Sequence, residues 1–209
     1  MSSVLTPRSR SAESVFLAAI QPDLQRDVFA QCQGARLTAL DSRDLWIETT
    51  RDSLVEAIRD VQVVLMNDAE LRMLTEEPNL VRAARRVMEL GPTMVVAKQG
   101  EYGAAALTRD GFFSLPGYPL EEVLDPTGAG DTFAGGFLGY LDAHSHEGLD
   151  DGTVRRAMTY GSVVASFNVE EFGTERVQRL THAEINERFQ EFKSMTHFDA
   201  VPIEPRVLR

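Results

Sequence analysis

Short apolar runs recur along this chain at residues 15–20, 37–40, 61–66 and 94–97, and helix-length segments separate them. Runs of four to six mostly apolar residues cannot leave one face in water. They bury both faces most simply as parallel strands with helices packed on either side, so the alternation predicts an α/β fold. The segments between them read as helices: one opened by Pro22, then residues 52–59, 69–74 and 79–90. In the last of these, Leu80, Ala83, Ala84, Val87 and Leu90 recur at helical spacing, and Gly91-Pro92 stops the helix. After Lys98 the pattern changes. Residues 104–108 and 112–115 flank Arg109-Asp110-Gly111 and read as a hairpin with an Asp-Gly turn. The last third reads as helices over residues 130–141, 154–168 and 182–192. Residues 1–13 form a polar lead-in without periodicity, residues 14–195 one domain, and residues 196–209 a tail.

Hydrophobic residues make up 43% of the chain and charged ones 25%, so a real core is expected. The 21 Lys and Arg against 32 Asp and Glu leave a net charge of −11, which repels a phosphate polymer and argues against a nucleic-acid partner. Cys32 is the single cysteine, which excludes an intrachain disulfide and a cysteine zinc cluster; placed in a predicted helix, it reads as inert. The apolar run after Arg8 and Arg10 is too short for a signal-peptide core, and no stretch approaches membrane-spanning length. The expectation is a cytoplasmic chain with no membrane partner.

The chemistry concentrates in residues 125–137. Gly128 and Gly130 flank Ala129 immediately before Asp131, which opens a helix. Such a turn can aim successive backbone N–H groups at one point, and the helix dipole favours an anion there. Asp131 is then a base for a hydroxyl attacking phosphorus, or an early helix acid that stabilises the dipole by about 0.3–1 kcal/mol. Gly135, Gly136 and Gly139 lie inside the predicted helix, where each costs about 0.8–1.0 kcal/mol against Ala, so close packing on a backbone or ligand is expected around them. Phe133 occupies the third glycine position of a dinucleotide fingerprint, and no P-loop is present.

Elsewhere, Asn67 and Glu70 have the spacing of a helix capping pair. Lys98 at a strand end reads as a solvated side chain. His144 and His146 sit in a polar loop and read weakly as a metal pair. Phe112, Phe113, Phe133 and Phe137 read as core.

Residues 125–137 resemble the C-terminal signature of the PfkB, or ribokinase-like, carbohydrate kinases. Asn67-Asp68-Ala69-Glu70 resembles that family's Asn-x-x-Glu motif, and Lys98 to Gly103 its Lys-x-Gly-x-x-Gly turn. Residues 163–173 resemble its helix end and loop over the nucleotide. The motifs follow in the family's order, and the similarity runs from about Val15 to about Phe192. The resemblance implies a ribokinase-like, Rossmann-type three-layer sandwich with a mostly parallel sheet and a C-terminal hairpin. It implies ATP-dependent phosphorylation of a sugar or nucleoside hydroxyl, with Asp131 as base and the N–H groups of Gly128, Ala129 and Gly130 as anion hole. It further implies Mg²⁺ held through water by Glu70 and Asn67, and a nucleotide along Lys98, Gly100 and Gly103 with Asn168 near adenine. A monovalent cation such as K⁺ is implied at Asp125 and Thr127.

Members of that family carry a longer N-terminal part with the first strands, a β-sheet lid and Gly-Gly and Asp contacts to sugar, none of which residues 1–13 provide. The N-terminal strands and lid are therefore expected to be missing. That leaves an exposed sheet edge for a homo-oligomer to cover, and a second functional reading as a truncated nucleotide-binding module or remnant without turnover.

Overall fold

The computed structural model describes residues 5–144 and 150–199. A one-turn helix α1 (Pro7–Arg10), capped by Thr6, stands ahead of β1 (Ser14–Leu17) and α2 (Pro22–Gln31). Next come β2 (Leu37–Asp41), α3 (Asp44–Thr49), α4 (Arg51–Arg59), β3 (Val63–Asn67), α5 (Asp68–Thr75), α6 (Leu80–Met88) and β4 (Met94–Lys98). After a 3₁₀ turn at Gly100–Tyr102, β5 (Ala104–Thr108) and β6 (Phe112–Leu115) form the expected hairpin. The chain closes with α7 (Ala129–Ala143), α8 (Asp151–Asn168), α9 (Glu175–Gln178) and α10 (His182–Thr196).

The six strands form one sheet in chain order; β1 to β4 are parallel, and β5 and β6 are antiparallel. Because successive strand residues face opposite sides, the apolar runs feed two cores at once. Leu37, Ala39, Val63, Leu65, Met94 and Val96 face α7, α8 and α10, where Phe137 and Phe192 are fully buried. Leu40, Val64, Met66, Val95 and Ala97 face α4, α5 and α6. Burial of one such phenylalanine or leucine contributes about 1.5–3 kcal/mol, so the layers stay together by side chains contributed from every strand.

Several elements differ from the sequence reading. The first strand stops at Leu17 because the Ala18 carbonyl accepts the Gln25 amide and the Ala19 carbonyl accepts the Trp46 indole N–H, which turns the chain and leaves Ile20 exposed. The short helix α3 was not expected, since Ile47 is its one buried side chain and no apolar period announces it. Cys32 is not inside α2 but at its C-cap, and it is buried. β1 lies at the edge of the sheet with β2 as its strand neighbour, and three of its four residues are half-buried.

Of Gly135, Gly136 and Gly139, Gly136 alone meets the expected close neighbour. A Cβ there would lie 3.1 Å from the Gly161 Cα, whereas Gly135 and Gly139 face open space. Gly161, which the sequence reading passed over, is the tighter of the pair: a Cβ would lie 2.8 Å from the Phe133 carbonyl oxygen. The two glycines let α7 and α8 approach backbone to backbone.

Candidate active site

Parallel strands end together, and here β2 ends on Asp41, β3 on Asn67 and β4 on Lys98. The register sets Asn67 beside Lys98 and Asp41 beside Leu65, so the three polar residues cluster at one end of the sheet. In open α/β sheets this is the end that receives ligands.

Asn67 caps α5. Its Oδ1 accepts the Glu70 N–H at 2.7 Å, and Glu70 Oε2 accepts the Asn67 N–H at 2.9 Å, a complete capping box. Burial pushes the Glu70 carboxyl above the ordinary glutamate value, opposed by that backbone bond and by the charge of Lys98. The capping reading therefore holds, yet Glu70 Oε1 has no hydrogen-bond partner among the described residues. It borders a cleft of about 500 Å³ lined by Ala19, Arg43, Asp44, Asn67, Glu70 and Met73.

The N-terminus of α7 is built differently. Gly128 takes a left-handed φ of 82°, a conformation that suits glycine, and no side chain caps the helix. The Ala129 N–H is engaged inside the turn, donating to the Pro126 carbonyl at 3.2 Å, so it is not the free donor the sequence reading expected. The N–H groups of Gly128, Gly130 and Asp131 have no acceptor among the described residues. Asp131 stands exposed in the first turn of α7.

Asn168 ends α8 directly behind this turn. Its amide N–H donates to the Thr127 carbonyl at 2.9 Å and its Oδ1 accepts the Thr132 hydroxyl at 2.9 Å, with the side chain 1% exposed. Asn168, which the resemblance sets near an adenine, braces the turn from a buried position. Asp125 ties the turn to the next loop: its carboxylate accepts the N–H of Thr127 at 2.9 Å and of Gly173 at 3.1 Å. These bonds hold its carboxyl below the ordinary aspartate value. The same two loops carry the exposed Val123, Leu124 and Phe172, an apolar rim beside the turn.

Lys98 is not the solvated strand end read from sequence. It is ion-paired with Asp41, whose carboxyl is 2% exposed and whose other oxygen accepts the Ser42 N–H at 2.8 Å. Burial pushes the Asp41 carboxyl above its ordinary value, Lys98 opposes this, and the charge of Asp131 adds to it. Asp41 was legible only as the acid ending a strand. Of the two glycines after Lys98, Gly100 faces open space. At Gly103 the chain itself comes close, because a Cβ there would collide with the Leu115 carbonyl. No group of three His, Cys, Asp or Glu side chains able to hold a metal occurs among the described residues, and His146 lies outside them.

A family model described as pfkB family carbohydrate kinase matches residues 11–179. The chain belongs to the pfkB family. Among its relatives, the cytidine kinase of Thermococcus kodakarensis is 36% identical over 133 residues, covering 61% of this chain and 47% of that one. The chain thus spans about half the length of this curated relative. A putative ribokinase II from E. coli, solved in complex with ATP and Mg²⁺, superposes with a TM-score of 0.67 at 24% identity over 81% of this chain and 54% of that one. A fructokinase double mutant from Vibrio cholerae O395, in its fructose, ADP and potassium ion bound form, gives a TM-score of 0.72 at 20% identity over 85% and 61%. Both show the pfkB-family fold shared with this chain.

Proposed function

We propose that this chain carries the phosphoryl-transfer machinery of an ATP-dependent kinase acting on a hydroxyl of a sugar or nucleoside. The observation that carries this reading is the open N-terminus of α7, whose unengaged N–H groups stand beside the exposed carboxylate of Asp131. Donors fixed at a helix start favour the charge that develops on a transferring phosphoryl group. A carboxylate in the same turn adds nothing to anion binding, but it can take the proton of an attacking hydroxyl.

The residues present fit a nucleotide and its metal. The left-handed Gly128 leaves the turn without a side chain over its donors, and the Val123, Leu124 and Phe172 rim offers an apolar surface for a base. Glu70 Oε1 and Asn67 would hold Mg²⁺ through its waters, since Mg²⁺ keeps much of its hydration and prefers oxygen. When bound, the metal neutralises charge on the ATP phosphates. Asp125, kept ionised by its backbone bonds, and Thr127 are the candidate residues for a monovalent cation that would strengthen the turn's positive field. Asn168, behind them, keeps the turn in register with α8.

The acceptor class follows from the relatives, one named for cytidine and one bound to fructose. A second reading, a nucleotide-binding module without turnover, keeps the same open turn and makes Asp131 an acid of the first turn of α7 that favours its dipole. An assay with ATP, Mg²⁺ and a panel of cytidine, ribose and fructose separates the two. Phosphorylation that disappears in Asp131→Asn while ATP affinity stays supports the kinase; ATP binding with no product from any acceptor supports the module.

A further inference from the structure

The loop that follows α8, residues 169–174, carries Phe172, 68% exposed, on the rim beside the open turn. Two bonds join the loop to the segment before α7. The Val169 carbonyl accepts the Leu124 N–H at 2.9 Å, and the Gly173 N–H donates to Asp125 at 3.1 Å. A second set of bonds reaches the loop from α9 and α10, and it converges on Glu170. One oxygen of that carboxylate meets Arg188 at 2.6 Å and the other meets Arg176 at 3.1 Å. Both guanidinium groups also stack on a single ring, that of Phe167, with Arg188 3.4 Å and Arg176 4.6 Å from its centroid. Arg188 donates further to the Ser166 hydroxyl at 3.1 Å, and Arg176 to Glu184 at 2.7 Å. The two arginine side chains are only 16% and 13% exposed.

As an adhesive this clamp is unfavourable. Two like charges share one ring, each arginine gives up rotamer freedom, and ion pairs taken out of water contribute little over apolar packing. What it supplies is geometry. A planar fork that bonds a carboxylate while stacking on a ring allows one placement of Glu170 against the end of α8. Glu170 stands two residues before Phe172, so that placement also sets where Phe172 stands beside the turn.

We propose that Arg176 and Arg188 are positioning residues that act through Phe172: by sharing Glu170 over the Phe167 ring, they hold the 169–174 loop where Phe172 stacks on the base of a bound nucleotide. This rests on the nucleotide reading of the open turn. Neither arginine touches the nucleotide. The phosphates bind at the turn, the base adds its share of affinity through Phe172, and the clamp acts on that share alone. A ring held in place before binding loses little freedom when the base arrives, whereas a ring on a loosened loop must be ordered first.

The test compares MgATP with magnesium tripolyphosphate, which keeps the charged tail and lacks the nucleoside, by titration calorimetry on the full chain. The ratio of the two affinities reads the contribution of the nucleoside. Phe172→Ala should lower that ratio by about 5- to 150-fold, the range for a base stacked on an aromatic side chain. Arg188→Met, which leaves Glu170 its bond to Arg176, should lower the ratio by about 3- to 10-fold, a part of that range, with tripolyphosphate affinity within about twofold of the parent. Added to Phe172→Ala, it should lower the ratio no further, because it acts through that ring. Equal losses for both probes, an unchanged ratio, or effects of the two substitutions that simply multiply overturn the proposal. Should Arg188→Met fail to fold, Glu170→Gln removes the shared charge at nearly the same volume and carries the same comparison. A parent with equal affinity for both probes overturns the base-binding rim, and one that binds neither overturns the nucleotide reading itself.

Discussion

At the N-terminus of α5, Asn67 and Glu70 satisfy each other's backbone N–H groups, whereas at the N-terminus of α7 the donors of Gly128, Gly130 and Asp131 meet no acceptor among the described residues. Both termini belong to the same site. α6, α8 and α10 carry side-chain caps as well, from Asn79, Asp150 and Thr181. A cap turns a helix start inward and makes it structural; α3, α4 and α9 also start without a side-chain cap, and what sets α7 apart is its glycine turn against Lys98. α10 supplies a control, because its capping box of Thr181 and Glu184 repeats that of α5 on the surface. The two N3 glutamates shift in opposite directions. Burial raises the Glu70 carboxyl, whereas the hydroxyl and N–H of Thr181, with Arg176, lower that of Glu184 to about 2. One motif gives two electrostatic results, and burial decides between them.

The largest effect should come from giving α7 the cap it lacks. Gly128→Asp sets a carboxylate on the open donors, where like charges about 4 Å apart repel by about 4 kcal/mol at a surface-like dielectric. ATP affinity measured by calorimetry should fall at least about 100-fold while the chain still folds; retained affinity would show that the turn does not hold phosphate. Next, Asn168→Ala removes the brace and leaves the Thr127 carbonyl and Thr132 hydroxyl without partners. Denaturant melts should show a loss of about 1–3 kcal/mol. A loss of ATP affinity with undiminished stability would return Asn168 to the nucleotide.

Smaller still, Glu70→Gln preserves the box, because glutamine also accepts the cap bond, but removes a buried charge. A carboxyl raised in the folded state favours folding below its unfolded value, near 4.5, and that contribution is lost as pH rises through the folded value. The variant's melting temperature should therefore exceed the parent's at pH 7, with the gap closing below about pH 4.5, while its Mg²⁺ requirement for turnover rises several-fold. An identical Mg²⁺ titration would leave Glu70 a cap and nothing more. The smallest effect belongs to Glu184→Gln. Its lowered carboxyl stabilises the fold above about 4.5, and that contribution disappears as pH falls through about 2. The variant should melt with a flatter pH dependence over that interval, with turnover untouched.

Much of the fold could be read from local pattern. The strands β2 to β6 and the hairpin turn stand at or close to where the apolar runs and Asp-Gly placed them, β3 starting later at Val63, because a strand buried on both faces has little freedom in composition. The turn of Gly128 to Asp131 was legible for a similar reason: its shape needs glycine at fixed positions. What was hidden depends on residues distant in sequence. Asp41 and Lys98 are 57 positions apart, and nothing local marks either as the other's partner. Asn168 shows its amide bonds only once α8 lies against α7, an approach that requires Gly136 and Gly161 to meet. At Gly103 a spacing motif cannot say which backbone needs the room, and only the packed structure shows that β6 does.

The strands stand side by side in the order in which the chain runs, so each ladder joins segments synthesised in succession. Each parallel pairing still has to close a helical crossover, which makes it slower to form than the hairpin of β5 and β6. The acid on the second strand gains its ammonium only when the fourth is laid down. The last parallel strand to be made thus completes the parallel array and neutralises the charge buried within it, so the order of synthesis is also the order in which this end of the sheet becomes electrically whole.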